Sequence, residues 1–312
     1  MKKYNTLLSF FIIYILINMV IFPSVYIEAT LNGISAWAFN VLPSVLPFIF
    51  FVKILTSIGN MDKFTKFMEK PCRKLFKTPS SSSLVFLTSI ISGYPVGAKM
   101  TAELYEHGKI KKSEAFKMCS FCSTSGPMFI IGAVGISMLA NPLYGYIIFS
   151  SHIIGAFLNG LLYRNLKAKE NDSIEIIEEN KGENKEKSSF DITSIVLDSA
   201  ISMLIVGTII AIFFVVITSL SPIFNLFPPK AASILEGMVE ITKGCQDISK
   251  YFNSKWAITA ATFVISFGGI STILQSISML TRLKMPITLF CLQKFTHACL
   301  AALISVAIVL FI

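Results

Sequence analysis

Long runs of uncharged, mostly apolar residues alternate with short charged segments along almost the whole chain. A membrane-spanning helix needs about 20 apolar residues, so a run of that length predicts one crossing of a bilayer. Seven runs meet this condition, at roughly 7–27, 33–58, 118–139, 143–163, 194–220, 256–281 and 287–311. The pattern predicts an all-α polytopic membrane protein with about seven transmembrane helices.

Two further apolar segments, 82–98 and 222–248, are interrupted before they reach spanning length. The first ends in the sequence SGYPVGAK at 92–99, where two glycines and a proline stop the helix. Non-helical backbone at membrane depth is tolerated only where protein buries it or where it lines a wet cavity. We therefore expect both segments to form re-entrant hairpins, and short interrupted segments in corresponding halves of a chain point to a transporter's binding site.

A charge-rich segment at 164–191 divides the apolar part of the chain into two portions of similar length. Its mixed charges and few apolar residues predict a flexible cytoplasmic linker without a core of its own. The predicted organisation is an N-terminal transmembrane span at 1–30, a first membrane repeat at 31–163 with hairpin 82–98, the linker at 164–191, and a second, inverted membrane repeat at 192–312 with hairpin 222–248.

The distribution of basic residues predicts the topology. Of the 27 Lys and Arg residues, 21 lie in segments that would share one side of the membrane and four lie on the other. Because cytoplasmic loops are enriched in Lys and Arg, the N-terminus and the linker are expected in the cytoplasm. The two hairpins then enter from opposite faces, as in inverted repeats with discontinuous helices.

Composition supports this interpretation, since 54% of the residues are apolar, 14% are charged and the mean hydropathy is +0.69. The formal charge of +9 is explained by topology, and we expect the lipid bilayer as a partner and no nucleic acid. Cys119 and Cys122 have the spacing of a redox or zinc motif, but no second pair accompanies them. We interpret them as helix-packing residues and predict no metal and no cofactor.

Small polar residues and helix breakers interrupt two of the predicted spans, at 123–127 and 266–272. A broken helix frees backbone groups, and the N-terminus of a half-helix carries partial positive charge that favours an anion. Close helix packing is the alternative explanation for such residues. The predicted substrate-binding residues are Ser92, Gly93, Tyr94, Pro95, Gly97, Lys99, Ser123, Thr124, Ser125, Gly126, Pro127, Gly268, Gly269, Ser271 and Thr272.

Four ionisable residues in apolar surroundings are candidates for coupling or gating. Glu236 and Glu240 are four residues apart, which predicts one helix face, where they would hold a cation or proton, cap the hairpin, or face water. Lys294 and His297 would meet an anion, unless Lys294 extends to the membrane surface. His152 and Gln275 would either line a cavity or bond neighbouring helices.

Catalytic motifs do not emerge from the sequence. It contains no HExxH, GxSxG or phosphate-binding P-loop pattern. We therefore expect no enzyme and no self-contained ATP-driven pump.

Four ordered motifs carry a resemblance that runs over nearly the whole chain: SGYPVGA at 92–98, TSGPMFIIGAVG at 124–135, EGMVEITKG at 236–244 and FGGIS at 267–271. They resemble the sporulation integral membrane proteins of the YlbJ (SpoVV) type, which carry the nucleoside-recognition or Gate domain and are related to concentrative nucleoside transporters. The resemblance implies a role in endospore formation, namely moving dipicolinic acid out of the mother cell across the outer forespore membrane.

The leading hypothesis is a transporter of a small anionic metabolite, with dipicolinate as the substrate that the resemblance implies. A nucleoside or nucleobase transporter is the alternative within the same class. A non-transporting scaffold for spore morphogenesis is the alternative from a different class. Assembly as a homo-oligomer or with other sporulation membrane proteins is left open by the sequence.

Overall fold

The computed structural model describes residues 2–57, 69–168 and 191–311, and within these ranges the regular structure is helical. The predicted all-α class is confirmed. Most of the predicted linker, residues 169–190, lies outside the described ranges. The first portion of the chain forms α1 Lys2–Ile21, α2 Pro23–Ala36, α3 Leu42–Ser57, α4 Ser81–Ser92, α5 Val96–Glu106, α6 Lys112–Phe121, α7 Met128–Met138 and α8 Pro142–Leu162.

The second portion forms six helices after the linker. They are α9 Ile192–Phe224, α10 Pro229–Val239, α11 Ile241–Tyr251, α12 Ser254–Phe267, α13 Gly269–Met279 and α14 Ile287–Leu310. Trp37–Val41 is a short π-helical stretch that joins α2 to α3 without a break in helical direction, and α7 is also π-helical.

Five stretches of the described residues are long and apolar enough to cross a bilayer, and they identify a multi-pass membrane protein. They are Pro23–Leu55, Pro142–Leu162, Ile192–Phe224, Lys255–Met279 and Ile287–Leu310. The expected boundary between the first two spans is placed differently, because α1 ends at Ile21 and Pro23 starts the next helix. Proline is preorganised for the first position of a helix, where its missing N–H costs nothing.

Four interruptions divide apolar sequence into eight helices of 10 to 14 residues, and the last interruption lies inside the stretch Lys255–Met279. The breaks lie at Gly93–Pro95, at Cys122–Pro127, at Glu240 and at Gly268. Each half-helix is too short to span a bilayer alone. The predicted discontinuous helices are thus present, whereas the re-entrant placement of α4–α5 and α10–α11 in a membrane stays a prediction.

The buried core joins the two portions of the chain. Phe121 of α6 and Phe290 of α14 belong to one buried apolar cluster. Ile148 of α8 and Val264 of α12 belong to a second. Because α14 packs on helices of the first portion, side chains from the end of the chain reach the breaks in its first half.

Candidate functional site

One cavity of about 120 Å³ is lined by residues of three helix breaks and, beside the fourth break at Gly268, by the first turns of α13. Its polar lining comes from the breaks themselves and from the first turns of the helices that follow them. The residues concerned are Ser92, Gly93 and Tyr94 between α4 and α5, Ser125 and Gly126 before α7, Glu240 and Thr242 at the start of α11, and Ser271, Thr272 and Gln275 of α13. Apolar side chains of α3, α7 and α9 complete the wall, among them Phe48, Phe129 and Met203.

Four helix N-termini begin beside this cavity, those of α5, α7, α11 and α13. The side chain of Glu240 caps α11, since its carboxylate accepts a hydrogen bond of 2.8 Å from the Lys243 backbone N–H. No side chain caps α5, α7 or α13, and none of them carries an acidic residue in its first turn. The C-terminal end of α4 also reaches the cavity at Ser92. Uncapped helix N-termini, with their partial positive charge, therefore lie beside the cavity together with helix C-terminal ends such as those of α4 and α10.

The two breaks of the first half pack backbone against backbone. Gly93 has φ of +74°, and a β-carbon there would lie 2.7 Å from the backbone nitrogen of Gly126. Ser89 and Thr124 share a buried hydrogen bond of 2.9 Å between their hydroxyl oxygens. These contacts hold the α4–α5 break against the α6–α7 break and leave no space for a larger residue at Gly93.

Lys294 of α14 binds both of these breaks from behind the cavity wall. Its side chain is buried, with the residue only 2% exposed. The ammonium Nζ donates to the Tyr94 hydroxyl at 2.5 Å and to the Ser123 carbonyl at 2.9 Å, and it lies 4.5 Å from the centre of the Tyr94 ring. Lys294 does not line the cavity, whereas Tyr94 does.

His152 of α8 connects the α6–α7 break to α12. Its Nε2 accepts a hydrogen bond of 2.9 Å from the Ser125 backbone N–H. The proton of the neutral ring therefore lies on Nδ1, which is 2.8 Å from the Ser266 hydroxyl. His297 donates from Nε2 to the His152 carbonyl at 2.9 Å. Both histidines are buried interhelical residues and neither lines the cavity.

A network of charges lies on the α10–α11 pair. Lys243 of α11 pairs with Glu236 of α10 at 3.6 Å and with Asp247 one turn further along α11. Lys250 adds a second pair to Asp247 at 3.1 Å. Glu236 therefore faces this network, while Glu240 faces the cavity. The prediction that both carboxylates share one helix face is wrong, because α10 ends at Val239 and Glu240 has an extended backbone with φ of −143°.

A model of a known protein family matches the part of the chain that contains the first two helix breaks. Residues 38–142 match the Gate family model, described as nucleoside recognition. The Gate region thus runs from the end of α2 to the start of α8 and contains Gly93, Tyr94, Ser125 and Gly126.

Comparisons over the full chain agree with that match. The chain is 26% identical to the sporulation integral membrane protein YlbJ of Bacillus subtilis (strain 168), over 97% of this chain and 82% of that protein. A solved structure of the concentrative nucleoside transporter CNTnw, a doubly substituted form in an outward-facing state, has a TM-score of 0.53 at 15% identity and covers 98% of this chain and 86% of that one. The resemblance inferred from the motifs is confirmed, and the solved structure shows the fold alone.

Several other predicted substrate-binding residues do not line the cavity. Lys99 is largely exposed and pairs with Glu103 at 3.9 Å, one turn beyond the Gate-region break. Gly97 packs tightly on the Cys122 carbonyl. Pro95 and Pro127 immediately precede α5 and α7, and the consecutive left-handed residues Gly268 and Gly269 connect α12 to α13.

Two polar residues outside the predicted substrate-binding and coupling sets line the cavity, Thr242 and Gln275. Thr242 follows Glu240 by two residues in the EGMVEITKG motif, which is the only signal that the sequence gives for it. Gln275 is a single amide in an apolar helix, and such a residue serves equally well as an interhelical hydrogen-bond donor. The sequence therefore left its two roles open, and the structure places it on the cavity.

Proposed function

We propose that the protein is a secondary transporter that carries a small anionic metabolite through the central cavity, and that dipicolinate is its substrate. The observation that carries this proposal is the convergence of three helix breaks, and of the first turns of α13 after the fourth, on one cavity, with three uncapped helix N-termini beside it. Half-helix N-termini at mid-membrane are the groups with which broken-helix transporters hold anionic substrates.

Backbone N–H groups and hydroxyl groups of the cavity lining would bind the carboxylates of the substrate. The Gly126 backbone N–H and the hydroxyls of Ser125 and Ser271 are the candidate donors. The Ser125 backbone N–H is bound to His152, and the Thr272 hydroxyl donates to the Gly268 carbonyl. Hydroxyls and backbone N–H groups donate hydrogen bonds to carboxylate oxygens without adding a formal charge that would need desolvation. The apolar wall of Phe48, Phe129 and Met203 suits the flat ring of an aromatic dicarboxylate.

The similarity to a sporulation membrane protein supports a role in spore formation, with the protein moving its substrate out of the mother cell across the outer forespore membrane. The excess of basic residues in the N-terminus and linker supports a cytoplasmic location for both. A fluorescent fusion followed through sporulation tests the location, and accessibility of an introduced cysteine in the linker tests the orientation.

A nucleoside transporter is the second candidate, and Glu240 favours it. A carboxylate in the cavity wall repels a dianion but accepts hydrogen bonds from sugar hydroxyls, and Gln275 can pair with a nucleobase edge. The two candidate functions therefore differ in the role of Glu240: it opposes binding of a dianion and supports binding of a nucleoside.

Uptake into liposomes that contain the purified protein distinguishes them. Labelled dipicolinate is supplied with and without excess uridine, and the Glu240→Gln variant is measured beside the wild type. Saturable dipicolinate uptake that uridine does not inhibit is the expected result. Uridine uptake that Glu240→Gln abolishes would replace the proposal with the nucleoside alternative. Uptake of neither compound by folded protein would contradict both and favour a scaffold.

A further inference from the structure

The C-terminal end of α6 is bound by side chains from α8 and α14. A helix that ends inside a membrane protein leaves carbonyl oxygens without N–H partners, and each must be satisfied from elsewhere. Here Asn159 Nδ2 donates to the Ser120 carbonyl at 2.7 Å in the last turn of α6, and Gln293 Nε2 donates to the Phe116 carbonyl one turn earlier at 2.9 Å. The Ser123 carbonyl, just past the end of α6, receives the ammonium of Lys294.

The groups around Lys294 Nζ are of kinds that also bind alkali cations. It contacts a backbone carbonyl oxygen, a phenol oxygen and the face of an aromatic ring. No carboxylate among the described residues forms an ion pair with it. Carbonyls of unwound backbone and half-helix C-terminal ends are the groups that coordinate coupling cations in broken-helix transporters.

Lys294 is connected to the cavity wall through Tyr94. Of the two residues to which its Nζ donates, Tyr94 lines the cavity and Ser123 does not, and Lys294 itself does not line it. Lys294 is therefore a positioning residue for the two Gate-region breaks and makes no direct contact with a molecule in the cavity.

We propose that the Lys294 ammonium is a resident cation at the α6–α7 break, occupying a position that an exchangeable sodium ion would otherwise hold, so that the protein needs no sodium. The consequence for transport rests on the proposed transport function. The consequence for stability does not, because it concerns only what binds the Ser123 carbonyl and the Tyr94 hydroxyl.

The stability test compares thermal unfolding of the purified protein in NaCl, LiCl and choline chloride at equal ionic strength. The wild type is expected to have the same Tm in all three salts. Lys294→Met is expected to have a lower Tm that rises again, saturably and by about 4 °C, with Na⁺ or Li⁺ but not with choline. Lys53→Met is the matched control, since Lys53 also lies in an apolar helix but donates to Ser202 away from the breaks.

A saturable, sodium-specific rise in the wild-type Tm would overturn the proposal, as would a folded Lys294→Met variant whose Tm does not respond to Na⁺ or Li⁺. If Lys294→Met does not fold, Lys294→Gln is measured in its place. The Tm of the wild type in the three salts tests the proposal whether or not either variant folds. In liposomes, replacing Na⁺ by choline should change wild-type uptake by less than twofold, and a larger loss would contradict the resident-cation role. Absence of uptake in every salt would instead count against the proposed function and leave the Tm result standing.

Discussion

The helix breaks of the first half and those of the second half have the same architecture and different chemistry. In the first half, Gly93 and Gly126 meet through their backbones, and the breaks are held by His152 and Lys294 from other helices. In the second half, the α10–α11 break carries the carboxylate of Glu240, and Glu236, Lys243 and Asp247 form a charge network on the flanking helices. Both pairs of breaks pack closely through glycines, since a β-carbon at Gly269 would lie 3.2 Å from the Val239 carbonyl oxygen, but the second pair also presents the Glu240 carboxylate to the cavity.

This difference indicates which positions at the breaks should tolerate amino-acid substitution. A backbone contact has no rotamer with which to adapt, so added volume must move a helix. A side chain at an extended position can be exchanged for one of similar size without moving the backbone. Substitutions at the packed glycines of a break should therefore disturb the whole site, and substitution of Glu240 should change what the site selects.

The largest effect is expected for Gly93→Leu or Gly126→Leu, which should abolish uptake while the protein still inserts into the membrane. The β-carbon at Gly93 meets the backbone of Gly126 at 2.7 Å, and the φ of +74° disfavours any L-residue. Uptake by reconstituted protein and the dipicolinate content of spores measure the loss. A normal dipicolinate content in spores of either mutant would contradict the requirement for glycine at these breaks.

Gly93→Ala and Gly108→Ala separate backbone strain from crowding. Gly108 also has positive φ, at +65°, but nothing lies within 4 Å of a β-carbon there. Gly108→Ala should cost about 1–2 kcal/mol for the left-handed conformation alone, and Gly93→Ala about 1–3 kcal/mol more for overpacking. Equal losses of Tm for the two variants would show that the Gly93–Gly126 contact is not tight.

His152→Ala should have the next largest effect, about 2–4 kcal/mol. It leaves the Ser125 N–H and the Ser266 hydroxyl without their buried partner, and each such group costs about 1–3 kcal/mol. His152→Gln, which keeps an acceptor and a donor, should lose less. Thermal unfolding ranks the two variants, and identical Tm values for His152→Gln and His152→Ala would argue against a hydrogen-bonding role.

The second half is tested by Glu240→Gln with Glu236→Gln as its matched control. Glu240 lines the cavity and Glu236 does not, although both are buried or nearly so on the same pair of helices. Removing the Glu240 charge should lower the KM for a dianion roughly tenfold, because like-charge repulsion of about 1–2 kcal/mol is lost. Glu236→Gln should leave KM unchanged. The same change in KM for both variants would mean that the charge acts at long range and not at the cavity.

The smallest effect is expected for Lys243→Met, which removes the ion pairs to Glu236 and Asp247. Lys243 is partly exposed, and the buried Asp247 keeps its second pair with Lys250. The free energy of unfolding, measured by thermal unfolding, should therefore fall by about 1 kcal/mol, with KM unchanged. A loss of uptake in a folded Lys243→Met variant would show that the charge network, as well as Glu240, governs the second half.

The sequence by itself determined where three of the four helix breaks fall. Gly93 and Gly268 adopt positive φ, and Pro127 ends the stretch between α6 and α7, so each of these three breaks is set by the local preferences of a few residues. Hydropathy determined the membrane class for the same reason, since a span depends only on the residues within it. Eight of the predicted substrate-binding and coupling residues consequently lie on the cavity.

Only the tertiary structure decided which side chains meet at those breaks. Lys294 lies 200 residues from Tyr94 in the sequence, and His152 joins Ser125 to Ser266, more than 100 residues further along. Helical periodicity predicted one face for Glu236 and Glu240, but the packing of α10 against α11 ends the helix between them. Such contacts depend on the summed packing of distant helices, and no local pattern of residues encodes that sum.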